Sequence, residues 1–100
     1  MSFSEKCYQL LRQVPKGKVT TYKSLAQAMK TKAYRAVGNA MNKNPYAPIV
    51  PCHRAISADG SLGGYAHGVQ KKIQMLKAEG IKIENNKIDL DKYEFKFSQK

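Results

Sequence analysis

The sequence contains no tryptophan, only two cysteines and no long apolar run. A membrane helix needs roughly 20 consecutive apolar residues, so a transmembrane protein is excluded as an interpretation of this sequence. The first residues, MSFSEKCYQLL, carry Glu5 and Lys6 and lack the apolar stretch of a secretory signal. Two cysteines are too few for a disulfide framework. We therefore expect a single domain, spanning 1–100, in a reducing cytoplasmic compartment.

Acidic residues are also scarce, and they are unevenly distributed. The chain carries 18 Lys and Arg against seven Asp and Glu, a formal net charge of +11. Between Lys6 and Ala58 there are ten basic residues and no acidic one. This pattern predicts a polyanionic partner, most often nucleic acid and less often an anionic membrane surface. The alternative is a solvated basic face that only keeps the protein soluble.

Helical periodicity predicts a first helix that begins at Ser2 and stops at Pro15. Ser2 and Glu5 fit a capping box, in which each side chain satisfies a backbone amide of the first turn. The apolar positions then recur at helical spacing. They are Phe3, Cys7, Leu10, Leu11 and Val14. Cys7 lies inside this stripe, so we predict a buried structural thiol there.

Two short helices with a tight link predict a helix-turn-helix. Thr21 is a suitable cap for a helix over YKSLAQAMK, and Asn44-Pro45 ends the helix that follows. In that second helix the apolar residues recur at i, i+3, i+4, i+7 and i+8. They are Ala33, Ala36, Val37, Ala40 and Met41. Small residues of this kind allow a helix backbone to approach its partner closely.

The remaining sequence predicts less regular structure. The segment from Asn44 to Tyr65 has the composition of irregular chain. A fourth helix runs from Val69 to Glu79 and stops at Gly80. Apolar alternation around Asn85-Asn86 then predicts a hairpin over 81–90, and the tail from Phe95 is expected to be partly frayed.

The segment NPYAPIVPCHRA has three prolines ahead of Cys52, which restrict the backbone that carries the thiol. A reactive cysteine must be a thiolate, and a neighbouring His53 and a basic surrounding favour that form. Adjacent side chains on extended chain point apart, so His53 would need a bridging water or a bent backbone to reach the sulfur. A zinc site is not expected, because Cys7, Cys52, His53 and His67 lack paired spacing. These residues alone are equally consistent with a reactive and with an inert Cys52.

IVPCHRA resembles the active-site sequence of the O6-alkylguanine-DNA alkyltransferases. The segments VPKGKVTTYKSLA, RAVGNAMNKNP, LGGY and LKAEG appear in the order and spacing of that family, so the resemblance covers roughly Phe3 to Ile83. It implies the family's C-terminal catalytic domain, a mostly α, winged-helix-like unit with few short strands. The family's usual N-terminal domain is not expected in this chain.

The resemblance implies the chemistry of the site. Cys52 would accept the alkyl group from guanine O6, and His53 would act as the base through a water. Glu79 would hold and polarise His53, and Asn44 would brace the active-site turn. No cofactor and no metal is implied.

The resemblance also implies how DNA is held. Arg35 would replace the flipped guanine in the duplex, unless it only contacts a phosphate. Tyr22 would contact the target phosphate and the guanine edge, unless it is a core residue. The recognition helix, Tyr34 to Asn42 with the small Ala36, would lie in the minor groove. The lesion pocket would be formed by Met41, Gly63, Tyr65 and the backbone near Ala66, with core packing as the alternative for Met41.

The implied function is irreversible, single-turnover repair of O6-alkylguanine in double-stranded DNA by a monomer. A prokaryotic protein would then be associated with the nucleoid and a eukaryotic one with the nucleus. Two alternatives stay open. One is an alkyltransferase-like lesion sensor that recruits nucleotide excision repair, although such sensors commonly carry Trp where Cys52 stands. The other is a helix-turn-helix regulator. Ala55 and His67 depart from the family pattern in the direction of a wider pocket.

Overall fold

The computed structural model describes residues 2–43, 50–63, 65 and 68–97. The helices are α1 (Phe3–Leu11), α2 (Tyr22–Ala28), α3 (Tyr34–Asn42), α4 (Val69–Ala78) and α5 (Leu90–Tyr93). The strands are β1 (Thr20–Thr21) and β2 (Ala55–Ile56), and one turn of 3₁₀ helix spans Cys52–Arg54. The predicted mostly helical class is therefore confirmed. Within the described ranges, every helix is too short or too polar to span a bilayer.

α1 begins as its sequence predicts. The Ser2 hydroxyl accepts a hydrogen bond from the Glu5 amide at 3.2 Å, which satisfies one of the free donors of the first turn. The helix ends at Leu11, and the chain continues through a turn in which Val14 is still buried. Cys7 has no exposed surface, and its thiol lies 3.4 Å from the sulfur of Met29. The prediction of a buried structural thiol is confirmed.

α2 and α3 form the predicted helix-turn-helix. The Thr21 hydroxyl caps α2 by accepting from the Ser24 amide at 3.0 Å. The helix ends in a reversal at Lys30, where φ is 58° and the Thr31 amide returns to the Ala26 carbonyl. This closure is a Schellman motif with a lysine in the left-handed position that glycine usually occupies. It turns the chain sharply into α3.

The described part of the segment 44–65 is more regular than predicted. β1 and β2 pair in parallel, with Thr20 opposite Ala55 and Thr21 opposite Ile56. The ladder joins segments that lie 35 positions apart in the chain, and it places the start of α2 beside the Cys52–Arg54 turn. The β-prone residues of 19–22 favour a short strand where β1 lies. A strand of two residues is too short to produce a period-2 pattern, so periodicity does not indicate β2.

The C-terminal part combines one confirmed turn with two corrections. Asn85 and Asn86 adopt φ of 53° and 60°, the positive values that a two-residue hairpin turn requires. The hairpin is short, however, because its outgoing arm pairs with 60–61 and Leu90 already begins α5. The tail is also packed rather than frayed as far as Phe97. The Phe95 amide donates to the Val19 carbonyl at 2.7 Å, and the two phenylalanine rings meet edge to face.

Two buried clusters hold these elements together. The larger lies among α1, α2, α3 and the Cys52 turn, and the smaller lies between β1, β2, α4 and the C-terminal segment. Cys52 belongs to the larger cluster, whereas Ile56 belongs to the smaller one. The turn that carries the thiol therefore lies where the two clusters meet, and packing on both sides fixes its position.

Candidate active site

Cys52 occupies a bent backbone rather than an extended one. The Cys52–Arg54 turn has 3₁₀ geometry, with about three residues per turn, so successive side chains point roughly 120° apart. Cys52 is only 2% exposed and lies in the same buried cluster as Met41 and Tyr65. The backbone is bent, as one of the two alternatives for His53 required, and the bend directs Cys52, His53 and Arg54 to three different sets of neighbours.

His53 is held by Glu79. The His53 Nε2 atom lies 2.7 Å from Glu79 Oε2, and the imidazole is 2% exposed. Since a carboxylate oxygen can only accept, this contact assigns the proton of the neutral imidazole to Nε2. Nδ1 is then the acceptor, and it is buried with no hydrogen-bond partner among the described residues. The ring also meets Tyr65 edge to face, at 6.3 Å between centroids.

Arg54 binds the same carboxylate, a contact that the sequence did not reveal. Its Nε donates to Glu79 Oε1 at 2.9 Å and its Nη2 donates to Oε2 at 2.8 Å. Its Nη1 donates to the carbonyl of Val14 at 2.9 Å. The arginine thus joins the active-site turn, the end of α4 and the chain that follows α1. In the sequence, only the position of Arg54 directly after Cys52 and His53 connects it with the site.

Glu79 caps the C-terminal end of α4, and Gly80 follows at a φ of 88°. The predicted stop at Gly80 is confirmed. A carboxylate is unfavourable at a helix C-terminus, because the helix dipole is negative there. Burial would raise the pKa of Glu79, but the hydrogen bonds and charges of Arg54 and His53 outweigh burial and lower this pKa. Glu79 is therefore ionised in spite of its location.

His53 experiences opposing influences. Burial lowers its pKa, the hydrogen bond and charge of Glu79 act to raise it, and the cations of Arg54 and Lys72 act to lower it. The net effect is a pKa below the ordinary value of a histidine. The imidazole is consequently neutral at physiological pH and can accept a proton.

Lys72 is a second residue near the thiol that periodicity did not indicate. It has no exposed surface, although it lies on α4 between residues of ordinary helical pattern. Its ammonium donates to the carbonyl of Ala55 at 2.7 Å and also to that of Leu62. Burial lowers the pKa of Lys72 to about 8, while the negative charge of Cys52 acts to raise it. A buried cation therefore lies within electrostatic range of the thiol.

Two tyrosines lie within electrostatic range of the thiol, and one glycine lies against the first of them. Burial raises the pKa of Tyr22 to about 12, and the charge of Cys52 acts in the same direction. The same two causes raise the pKa of Tyr65. Both phenols are thus protonated and can donate hydrogen bonds. Gly63, at a φ of 69°, lies against the Tyr22 phenol so closely that a β-carbon there would be 2.6 Å from its oxygen.

An open cleft of about 500 Å³ lies beside this region, along α2 and α3. Its lining residues are Tyr22, Lys23, Tyr34, Arg35, Gly38, Asn39, Ser57 and Ala58. Tyr34 is 42% exposed and Arg35 is also exposed, whereas Ala36 is half-buried. Among the described residues, no atom lies within 4 Å of the place that a β-carbon on Gly38 would take, so the backbone of α3 is accessible on this face. The structure therefore brings Tyr22, Tyr34 and Arg35 to one surface.

The other predicted positions divide into two groups. Met41 is 2% exposed and packs in the larger cluster, which agrees with the core-packing alternative for this residue. Asn44 and Ala66 lie outside the described residues, so their predicted roles stay predictions.

Among the described positions, no three His, Cys, Asp or Glu side chains are grouped as metal ligands.

The chain is similar in sequence to DNA alkyltransferases. The family model described as 6-O-methylguanine DNA methyltransferase, DNA binding domain, matches residues 2–81. A methylated-DNA–protein-cysteine methyltransferase of Methanosarcina barkeri is 47% identical over 84% of this chain and 51% of its own length. The corresponding protein of Sulfolobus acidocaldarius is 43% identical over 83% of this chain and 52% of its own length. The chain therefore spans about half the length of these relatives.

Solved structures give the same assignment. The Mycobacterium tuberculosis OGT in complex with DNA superposes with a TM-score of 0.76, at 38% identity over 80% of this chain and 49% of that one. The S. pombe Atl1, in complex with damaged DNA containing O6-carboxymethylguanine, gives a TM-score of 0.84 at 30% identity and covers 94% of both chains. By sequence and by fold, the chain belongs to the O6-methylguanine DNA methyltransferase family of DNA repair proteins.

Proposed function

We propose that this protein repairs O6-alkylguanine in double-stranded DNA by transferring the alkyl group to its own Cys52. The observation that carries the proposal is that Cys52 and His53 lie in one buried turn and that Glu79, at the end of α4, holds the imidazole. A thiol, a neutral base and an ionised carboxylate that orients the base are the three parts of an activated nucleophile. A chain that only recognised the lesion would need no nucleophile.

The transfer requires no cofactor. The Cys52 proton passes through a water to Nδ1 of His53, and the sulfur attacks the alkyl carbon. A carbon–sulfur bond forms, the bond from that carbon to guanine O6 breaks, and the proton is returned to the guanine. The Tyr22 phenol donates a hydrogen bond to the guanine edge as charge develops there. The nearby ammonium of Lys72 favours the thiolate before attack.

The DNA is held by the surface that α2 and α3 form. The target base lies inside the duplex and must be flipped out before its O6 atom can be reached. Arg35 is exposed at the start of α3 and fills the position that the guanine leaves. The uncovered Gly38 and the small Ala36 allow α3 to approach the minor groove closely. Because phosphate contacts dominate such binding, affinity falls steeply with salt.

Intact mass is the decisive measurement. Incubation with a duplex that contains O6-methylguanine should add the mass of one methylene unit to each molecule. The addition disappears in Cys52→Ser and persists in Cys7→Ala, which removes the other buried thiol. Because the resulting thioether has no route back, the number of methyl groups transferred equals the number of protein molecules. Turnover beyond this stoichiometry would contradict the self-alkylation step.

A lesion sensor is the second candidate, because Atl1 matches this chain over 94% of both lengths. A sensor would bind the O6-methylguanine duplex more tightly than the undamaged duplex, and its mass would not change. Equal affinity for the two duplexes, with no mass change, would leave a helix-turn-helix regulator. Intact mass and the affinities for the two duplexes together separate all three functions.

A further inference from the structure

The Glu79 carboxylate accepts hydrogen bonds from two residues at once. Arg54 donates to both oxygens through Nε and Nη2, while His53 binds only Oε2. The carboxylate is 9% exposed and the arginine side chain is 16% exposed, so little solvent screens the contact. The carboxylate that orients the imidazole is thus shared with a cation.

The arginine is itself fixed by a third contact. Its Nη1 donates to the Val14 carbonyl, so all three nitrogens of the guanidinium are engaged. A planar fork of this kind fixes both the position and the rotation of a carboxylate, which a single lysine ammonium cannot do. Glu79 needs such a constraint, because it lies at the unfavourable end of α4.

We propose that Arg54 is a positioning residue for alkyl transfer: its fork orients Glu79 toward His53 and neutralises part of the carboxylate charge. The inference rests on the proposed function, in which His53 must be neutral to accept the thiol proton. A carboxylate that belonged to His53 alone would favour the imidazolium, which cannot act as a base. Arg54 thus retains the orienting contact of Glu79 and limits its charge.

The charges around His53 define what removal of Arg54 should do. Glu79 and Lys72 face the imidazole from α4 and its end, the Tyr65 ring lies on another side, and Cys52 and Arg54 adjoin it in the chain. Glu79 is the anion that raises the pKa of His53, and Arg54 is one of the two cations that lower it. Without Arg54, the pKa of His53 should therefore rise.

Two variants separate the charge of Arg54 from its shape. Arg54→Met removes the cation but retains much of the side-chain volume, and Arg54→Lys retains the cation but loses the fork. Arg12→Met is the matched control, because it removes an exposed arginine outside the site. The titration of His53 is followed by NMR of its imidazole, since the chain has only two histidines and His67→Asn identifies the second signal.

We expect the His53 titration to move to higher pH in Arg54→Met and to stay near that of the wild type in Arg54→Lys and Arg12→Met. In single-turnover assays, Arg54→Met should slow methyl transfer about tenfold near neutral pH. The decrease of the rate at acid pH should begin at a higher pH than in the wild type. Arg54→Lys should recover part of the rate.

An unchanged His53 titration in folded Arg54→Met would overturn the proposal, even if the variant is less stable. Far-UV circular dichroism establishes folding, and Arg54→Gln replaces Arg54→Met if the latter does not fold. The titration needs no repair activity. A wild-type protein that transfers no methyl group would therefore refute the proposed function, while the NMR result would still decide whether Arg54 controls His53.

Discussion

Replacement of Lys72 by methionine tests the free-energy cost of a buried ammonium beside the active-site thiol. Burial lowers the pKa of Lys72 from 10.5 to about 8. Below about pH 8 the folded and unfolded chains both carry this proton, and the cost to folding is at its full value of about 3 kcal/mol. Between about pH 8 and the unfolded value, the unfolded chain binds more protons. Stability should therefore rise with pH across this interval.

The variant removes this pH dependence. From about pH 7.5 to about pH 9.5, the wild type should gain roughly 2 kcal/mol of unfolding free energy relative to Lys72→Met. Methionine leaves the carbonyls of Ala55 and Leu62 without the ammonium, which changes the absolute stability at every pH but not this trend. Burial also raises the pKa of Cys7 to about 11, and both proteins share the resulting loss of stability at alkaline pH.

Urea unfolding followed by far-UV circular dichroism gives the measurement, because the chain has no tryptophan to report by fluorescence. Lys71→Met is the control, since it removes an exposed lysine one position earlier on α4. It should show the pH dependence of the wild type. A difference in unfolding free energy between wild type and Lys72→Met that stays constant with pH would refute the argument. So would a Lys71→Met variant whose pH dependence matches that of Lys72→Met.

Three further predictions concern local geometry. Gly63→Ala should slow single-turnover methyl transfer about tenfold with little change in DNA affinity, because the new methyl group would displace the Tyr22 phenol; an unaltered rate would contradict this. Lys30→Gly should raise the unfolding free energy by about 1 kcal/mol, because φ at this position is 58°, a left-handed value that glycine adopts more readily than lysine. Lys32→Gly is the control and should give no gain in the same urea experiment. Asn86→Val should lower the unfolding free energy by about 1–2 kcal/mol and Asn86→Gly should not, since φ is 60°; equal urea midpoints would refute the assigned turn.

The helical part of the fold was predictable because its signals are local. The hydroxyls of Ser2 and Thr21 cap the helices that the sequence predicts, and Gly80 ends α4. Such signals lie within a few residues of the structure that they specify. The two asparagines at 85 and 86 are of the same kind, since they tolerate the positive φ of a tight turn.

Features that depend on distant partners could not be predicted in this way. Lys72 has a polar side chain on a helix, and its burial depends on two carbonyls far from it in sequence. Arg54 is paired through the fold with Glu79 and Val14. Leu90, the first residue of α5, is predicted as the end of a hairpin arm, because Ile88 and Leu90 alternate as strand residues do. Periodicity over so few residues does not distinguish a strand from one turn of helix.

The resemblance to a known family located the site residues that spacing alone could not connect. Of those that the structure describes, His53 and Glu79 are in direct contact, and Tyr22 and Tyr65 lie within electrostatic range of Cys52. The resemblance did not indicate the cations that adjust these groups. Their effect depends on burial and on distance, which a motif does not encode.

The two-residue ladder between β1 and β2 has a consequence for how the chain can change in length. It aligns Thr21 with Ile56, so backbone pairing, together with packing in the larger cluster, positions the next residue, Tyr22, relative to Cys52. A slip of one residue would turn every side chain of the moved strand to the opposite face. Insertions in the link between α2 and α3 leave this alignment intact, whereas one extra residue between Cys52 and Ile56 would separate the thiol from the phenol. The ladder thus sets the spacing between the thiol and the phenol. Because it consists of only two residue pairs, no further pair would preserve that spacing if one were lost.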